Sequence, residues 1–377
     1  MKVLYSSVAC IAFALGTAAA ASAQASPSPA SASPAPSKSS VPAASPSPAA
    51  SPSPSPSPTP KTIQFSGFAD AGYVSRIGNT TTEFTSGANS RVFDTLDRQP
   101  NLQNLNVQAA LNAGALGGKV ELSMGTDADV IASYPAAFNG FDLTQAYLTY
   151  TLGKFTLQGG KFVTLAGAEV IESPSDNNFS RSILFGFAIP FTHTGGRLTY
   201  AADPKLSLIA GVNLGWDVLH DTNSQRTAEY GVVLNPSPAL SFTAQGYTGI
   251  EQISNVPLST VQGQRTVIDV VGTFKATPML TFVVNYDRGA QHNAPLVDGT
   301  GSLLSPAGTA VWNGFAGYAT YQVTPKLAAT LRYEGFKDAN GYRTGFAQLW
   351  HEGTLTAAYS MTPSITLRAE MRRDKSD

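Results

Sequence analysis

Between Glu169 and Arg197 the chain gathers the side chains best suited to act on a passing solute. Glu169, Glu172 and Asp176 lie in a stretch rich in Gly, Pro, Ser and Asn, and Arg181 and Arg197 follow. Carboxylates set opposite guanidinium groups across a narrow passage create a transverse field that orients and filters hydrated solutes. The same charges also suit a second role, pinning the segment to the structure around it, and the sequence leaves both open. Catalytic chemistry finds less support. His193, His220, His292 and His351 lack metal-ligand spacing and fall at loops or loop-proximal strand ends, where solvated histidines are ordinary. No nucleophile motif accompanies them, and Asp127 with Asp129 is too small a donor set for a cation. The sequence therefore predicts no catalytic residue, no metal and no cofactor.

The elements that must carry these residues are strands. In 280–287, Leu280, Phe282, Val284 and Tyr286 share one face and Thr281, Val283, Asn285 and Asp287, mostly polar, the other. In 364–372, Ile365, Leu367, Ala369 and Met371 oppose Thr366, Arg368, Glu370 and Arg372. A period of two fits strands with one apolar and one polar face, and helical spacing does not fit. Short turns such as Asp203-Pro204, Thr277-Pro278, Thr324-Pro325 and Thr362-Pro363 join them, because proline presets φ and withholds a ladder donor. About fifteen such segments lie between 63 and 375, each of the length that a tilted membrane strand needs. On the other side stand longer loops at 75–100, 128–140, 166–191 and 289–310.

Charged residues make up 13% of the chain, against about a quarter in soluble proteins, and no apolar run after residue 23 reaches helix-spanning length. A membrane domain of this kind must be a closed barrel, since lipid leaves no other partner for backbone groups. The predicted fold class is therefore all-β, a transmembrane antiparallel up-and-down β-barrel of about sixteen strands when complete. The last visible segment, 364–375, rises to the external side and does not return, so the closing C-terminal strand is expected to be missing from 62–377. Tyr150, Tyr200, Phe274, Tyr321 and Tyr359 gather before short turns, and Tyr73, Trp216, Tyr286, Tyr333 and Trp350 at the opposite ends. They read as two interfacial girdles. Arg332, Glu334, Arg368, Glu370 and Arg372 fall on polar faces; facing lipid would cost about 2–4 kcal/mol each, so they line the lumen. Lys161 shares parity with Phe155 and Leu157, which implies either a bulge at Gly159-Gly160 or a side chain reaching to the interface.

Residues 1–23 read as a secretory signal peptide, with Lys2, an apolar Val8–Leu15 core around the lone Cys10, and Ala21-Ser22-Ala23 before Gln24. Residues 24–61 are an Ala/Ser/Pro tract without the apolar side chains to fold, a disordered periplasmic linker. The net charge of −1 leaves no footprint for nucleic acid.

At Gly160-Lys161-Phe162, Gly167-Ala168-Glu169, Asn178-Phe179-Ser180-Arg181-Ser182 and Pro190-Phe191-Thr192-His193-Thr194-Gly195 the chain resembles the OmpL-like family of outer-membrane β-barrel porins. Phe65-Ser66-Gly67-Phe68-Ala69-Asp70 and Asn213-Leu214-Gly215-Trp216-Asp217 extend the resemblance over nearly all of 63–377. It implies passive diffusion of small hydrophilic solutes or ions through a polar lumen narrowed by 166–191, in the bacterial outer membrane. The competing reading is a non-conducting structural or adhesive barrel, plugged by the same loop. Expected partners are outer-membrane lipid and small hydrophilic solutes. Homo-oligomers, trimers above all, are common among porins of this size, although no residue marks a subunit face. The sequence identifies neither the solute nor the ion preference.

Overall fold

The computed structural model describes residues 6–16, 61–77, 91–135, 139–252 and 261–377. Its strands run in chain order as β1 (Ser6–Gly16), β2 (Thr62–Ile77), β3 (Pro100–Ala113) and β4 (Leu116–Met124). Next come β5 (Phe141–Leu152), β6 (Phe155–Val163), β7 (Thr192–Asp203) and β8 (Leu206–Asn213). They are followed by β9 (Thr227–Ser237), β10 (Leu240–Gln252), β11 (Gln262–Thr277) and β12 (Leu280–Val297). Last are β13 (Leu303–Thr324), β14 (Leu327–Asp338), β15 (Gln348–Thr362) and β16 (Ile365–Ser376). From β2 to β16 every strand pairs antiparallel with its sequence neighbours, and β1 lies between β2 and β16 to complete a closed barrel.

The seam that the sequence left open is thus filled by the backbone of Ser6–Gly16, within the segment read as an export leader. Val8 stands opposite Arg372 on one side and Arg76 on the other. The expected cleavage site at Ala21–Ala23 and the linker through Pro60 lie outside the described residues, as do parts of the loops at 75–100 and 128–140.

The short turns explain their own residues. Thr277 Oγ1 accepts from the amides of Met279 (3.2 Å) and Leu280 (3.0 Å), and Thr324 Oγ1 does the same for Lys326 and Leu327. Asp203 Oδ1 plays this part for Lys205 and Leu206. A side-chain oxygen here accepts from turn amides that have no ladder acceptor. Gly153, at φ 57°, makes the remaining kind of turn, where only glycine is unstrained.

Alternation sorts the wall as expected. Val284, Leu331, Leu355 and Met371 are more than half exposed on the outside, whereas Arg332, Glu334, Glu370 and Arg372 are buried inside. The girdle needs a correction. Tyr73, Tyr286 and Tyr333 do face outward, but Trp216 is 5% exposed and Trp350 1%. Trp350 shares parity with the inward-facing Glu352, and Trp216 lies beyond the end of β8. Both pack in an apolar cluster inside the barrel with Phe185, Ile189, Trp312 and Phe336.

The loop expected at 289–310 is mostly strand. Leu296 pairs with Leu304 and Val297 with Leu303, so β12 and β13 extend as a hairpin beyond the rest of the wall. Lys161 is resolved in neither expected way. Register on both sides of β6 is unbroken, although Gly160 sits at φ 130°. Lys161 is 4% exposed, and its ammonium donates to Asp142 Oδ1 at 3.0 Å and to the Leu143 carbonyl at 2.6 Å. The nearby loop carries α1 (Thr126–Ile131) and straps across the rim, where Tyr134 bridges to Val218 and Ser133 bonds Thr192 at 2.7 Å.

Candidate functional site

The chain between β6 and β7 turns into the barrel rather than away from it. Its neck is closed by the Thr164 amide donating to the Phe191 carbonyl at 2.9 Å. Inside, the segment contains one 3-10 turn (Ser173–Ser175) and a short helix, α2 (Ile183–Ala188). Ser182 caps α2 by accepting from the Phe185 amide at 3.0 Å. Ile183, Leu184, Phe185 and Ala188 are all buried, so the helix exposes no apolar stripe to water.

Wall charges hold the loop by its backbone. Glu334 accepts from the free amides of Ile183 (2.7 Å) and Leu184 (2.9 Å) at the start of α2. Glu370 accepts from Phe179 (2.8 Å) and Ser180 (3.1 Å). Arg368 donates to the Asp176 carbonyl and Arg372 to the Arg181 carbonyl, each at 2.6 Å. From the adjoining strands β13 and β12 and the β14–β15 connection, Trp312 Nε1 donates to the Ala188 carbonyl at 3.0 Å, Asn285 accepts from the Ala168 amide, and Arg343 donates to the Phe187 carbonyl. Arg332, Glu334, Arg368, Glu370 and Arg372 are all buried, and each of the five bonds the loop backbone directly.

Arg332 is the centre of this network. Its guanidinium donates to Glu169 Oε1 (2.6 Å), to the Ser180 carbonyl (2.6 Å) and to Glu352 Oε2 (3.0 Å). It is fully buried, as is Glu352. Glu169 returns to the loop by accepting from the Ser182 amide at 2.7 Å. Asp176 pairs with Arg181 at 3.0 Å, and Arg181 also donates to the Val170 and Ile171 carbonyls. Arg197, on β7, pairs with Glu229 at 2.8 Å and lies 4.2 Å over the Phe162 ring.

Of the residues expected at a constriction, Glu169, Asp176, Arg181 and Arg197 are therefore each 7% exposed or less and fully engaged. Glu169 ties the loop to the wall through Arg332, Asp176 and Arg181 brace the loop internally, and Arg197 pairs within the wall. Glu172 differs. Its carboxylate is 31% exposed and pairs at 2.7 Å with Lys119 on β4, which also pairs with Glu121 at 2.7 Å. Sequence reasoning missed Lys119 and Glu121; their alternation with Val120 marks a polar face, but only the barrel's register brings that face beneath Glu172. Toward the periplasmic end the inward face turns to half-buried uncharged polar groups, among them Gln108, Thr149, Gln158, Thr243, Thr273 and Thr320.

His193 is not a solvated loop histidine. It is fully buried on β7, stacked on Tyr247 with ring centroids 4.3 Å apart. No nucleophile is bonded to it among the described residues; its Nδ1 lies 3.4 Å from the Gly215 carbonyl. Asp127 and Asp129 do not converge: Asp127 is buried, while Asp129 accepts from the Gly140 amide at 2.5 Å. No group of three or more metal-type ligands occurs among the described residues.

Two predictions follow from this anchoring. Replacing Arg332 by Leu leaves Glu169 and Glu352 buried without their cation, a loss of about 3–5 kcal/mol for such a pair. The docked loop should then become open to proteolysis within 166–191 while heat-modifiable gel mobility still reports a closed barrel. The second concerns pH. Burial pushes the carboxyls of Asp127 and Asp176 up to about 7 against the pull of Arg181. A carboxyl that holds its proton more tightly when folded adds stability as pH falls from about 7 toward its ordinary value, and loses it as pH rises through about 7. Protease resistance of the loop should be higher near pH 5.5 than near pH 8, and Asp127→Asn should flatten that dependence.

Comparison with known proteins agrees with this architecture. The family model described as "Putative beta-barrel porin-2, OmpL-like" matches residues 62–377. No curated protein matches the sequence. Among solved structures, the outer membrane channel DcaP of Acinetobacter baumannii is 12% identical at a TM-score of 0.51, covering 100% of this chain and 97% of that one. A loop L8 deletion form of OmpT, an outer membrane protein of Vibrio cholerae, is 14% identical at 0.51, covering 83% and 99%. An anion-selective porin from Comamonas acidovorans is 8% identical at 0.50, covering 84% and 100%. At these identities the likeness is one of fold. The match of the family model over β2 to β16 carries the assignment: the chain belongs to the OmpL-like family of β-barrel porins and is a diffusion channel of the bacterial outer membrane.

Proposed function

We propose that small hydrophilic solutes cross this barrel along the wall of β3 to β6, past the Lys119–Glu172 pair, rather than through the middle of the inserted loop. The observation that carries this reading is the contrast in exposure. Glu172 and Lys119 remain 31% and 17% exposed, while Glu169, Arg332 and Glu352 are 5% or less. Buried, fully paired charges present no field to a solute, whereas a half-open pair does. In this reading the loop narrows the lumen by volume, and Glu172, Lys119 and Glu121 set its polarity. The channel acts without chemistry on its solutes, and the buried His193–Tyr247 stack is structural.

Planar-bilayer conductance tests this. A unit charge acts on a hydrated ion at contact with about 1 kcal/mol, which is about a fivefold change in relative permeability. Glu172→Gln should shift selectivity toward anions and Lys119→Gln toward cations by up to that amount, while Glu169→Gln should leave the sign of selectivity unchanged. Selectivity indifferent to both Glu172 and Lys119 would discard this path. A folded but silent barrel would favour the plugged, structural reading, to which the dense apolar packing around α2 also lends itself.

The same proposal divides the chain into an export signal at 1–23, a periplasmic spacer at 24–61 and the barrel at 62–377. A trimer is the assembly that fits such barrels, and one solved form of Vibrio cholerae OmpT is described as a trimer. N-terminal sequencing of the protein recovered from outer membranes should begin at Gln24. A mature chain that retains Ser6–Gly16 would instead make β1 a permanent stave of the barrel.

A further inference from the structure

The outward-facing charges on the strands of the barrel wall are of one sign, with the exposed terminal Asp377 as the nearest carboxylate. Every strand carboxylate from Asp70 to Asp374, the turn residue Asp203 apart, is buried. Arg288 on β12, Lys337 on β14 and both Arg373 and Lys375 on β16 point outward instead and are exposed. No carboxylate pairs with any of the four among the described residues. They cluster because of register. Arg288 stands opposite Asn313, which stands opposite Lys337, and Lys375 stands opposite His351 in the adjoining row. With strands about 4.8 Å apart, the patch spans about 20 Å of the rim. Arg373 lies level with Tyr333, and Arg288, Lys337 and Lys375 lie just beyond Tyr286 and Tyr333, outward-facing aromatics of the external girdle, hence at headgroup depth in the outer leaflet.

A groove opens directly beside it. Gly353 stands opposite Arg373 on one side and Tyr333 on the other, and a Cβ placed on it would meet nothing within 4 Å. The missing side chain leaves a cavity of about 210 Å³ on the lipid face, lined by Leu331, Leu355, Met371 and Arg373. Apolar walls with a cation at the mouth suit an acyl chain beneath a phosphate.

We infer that the β12–β16 face is a binding site for a phosphorylated lipid of the outer leaflet, with an acyl chain in the groove over Gly353 and its phosphates on Arg373, Lys375 and Lys337. Charge complementarity and continuity with the lipid-facing wall favour this occupant over a protein partner. The site stands apart from the lumen, so its test does not depend on conduction.

The test is native mass spectrometry of the full chain, in detergent with EDTA, titrated with bis-phosphorylated lipid A or with its dephosphorylated form. Wild type should retain the phosphorylated lipid about tenfold more tightly. The variant Arg288→Gln/Lys337→Gln/Arg373→Gln/Lys375→Gln should lose that preference, with heat-modifiable mobility confirming a folded barrel. If the quadruple variant does not fold, Arg373→Gln/Lys375→Gln serves in its place. Gly353→Leu, which fills the groove and keeps every charge, should weaken retention of the acylated lipid. Equal retention of both lipids by wild type, or undiminished retention by the charge variants, would overturn the inference. So would a change of oligomeric state on charge removal without added lipid, since the patch would then serve a second copy of the chain.

Discussion

A buried guanidinium decides where the inserted loop sits. Arg332 bonds a carboxylate of the loop, a carbonyl of the loop and a carboxylate of the wall at once, and is fully buried. A charge so desolvated is tolerable only when each donor is met. The arrangement therefore tolerates few alternatives: the loop is either docked with Glu169 and Ser180 in place or Arg332 loses its partners. The wall carboxylates Glu334 and Glu370 extend the same logic. Each satisfies loop amides that the short helix and its approach cannot satisfy internally. Strand alternation puts these side chains inside the barrel, and the loop supplies the polar backbone groups that make their burial affordable.

Consequently the barrel has two interiors. Around α2 the lumen is packed like a protein core, with Phe185, Ile189, Trp312 and Phe336 in contact. Toward the periplasmic side it is lined by half-buried hydroxyls and amides. A solute that traverses the second must skirt the first. The side on which it does so is marked by incomplete burial at Glu172 and Lys119. Residue type alone does not separate Glu172 from Glu169, since both are glutamates of one loop; burial and partners do.

Much of this fold was legible in the sequence because period-two alternation is a local property. The inward placement of Arg332, Glu334, Arg368, Glu370 and Arg372 followed from parity and the cost of charge in lipid. The loop at 166–191 was legible from its composition and length. What the sequence could not yield was anything that depends on register between distant strands. Lys119 meets Glu172 only because β4 curves beneath the loop, fifty-odd residues away in the chain. Trp350 was misassigned to the girdle because proximity to a strand end was weighed above its parity with Glu352. The β12–β13 extension was hidden by Gly, Pro and Ser residues that read as loop in isolation. Lys161 was ambiguous because its partner, Asp142, lies on a different strand under a strap whose course no local pattern reveals.

The closed neck at Thr164 and Phe191 has a further implication. Chain enters and leaves the lumen through one doorway, hydrogen-bonded shut, so the inserted stretch is a cul-de-sac hung from an otherwise continuous cylinder. Residues other than those that meet the buried wall charges can be gained, lost or exchanged within it without altering how neighbouring staves pair or how wide the cylinder is. Bore and wall are thereby separate variables: a lineage could retune what fits through the opening while inheriting the same scaffold unchanged.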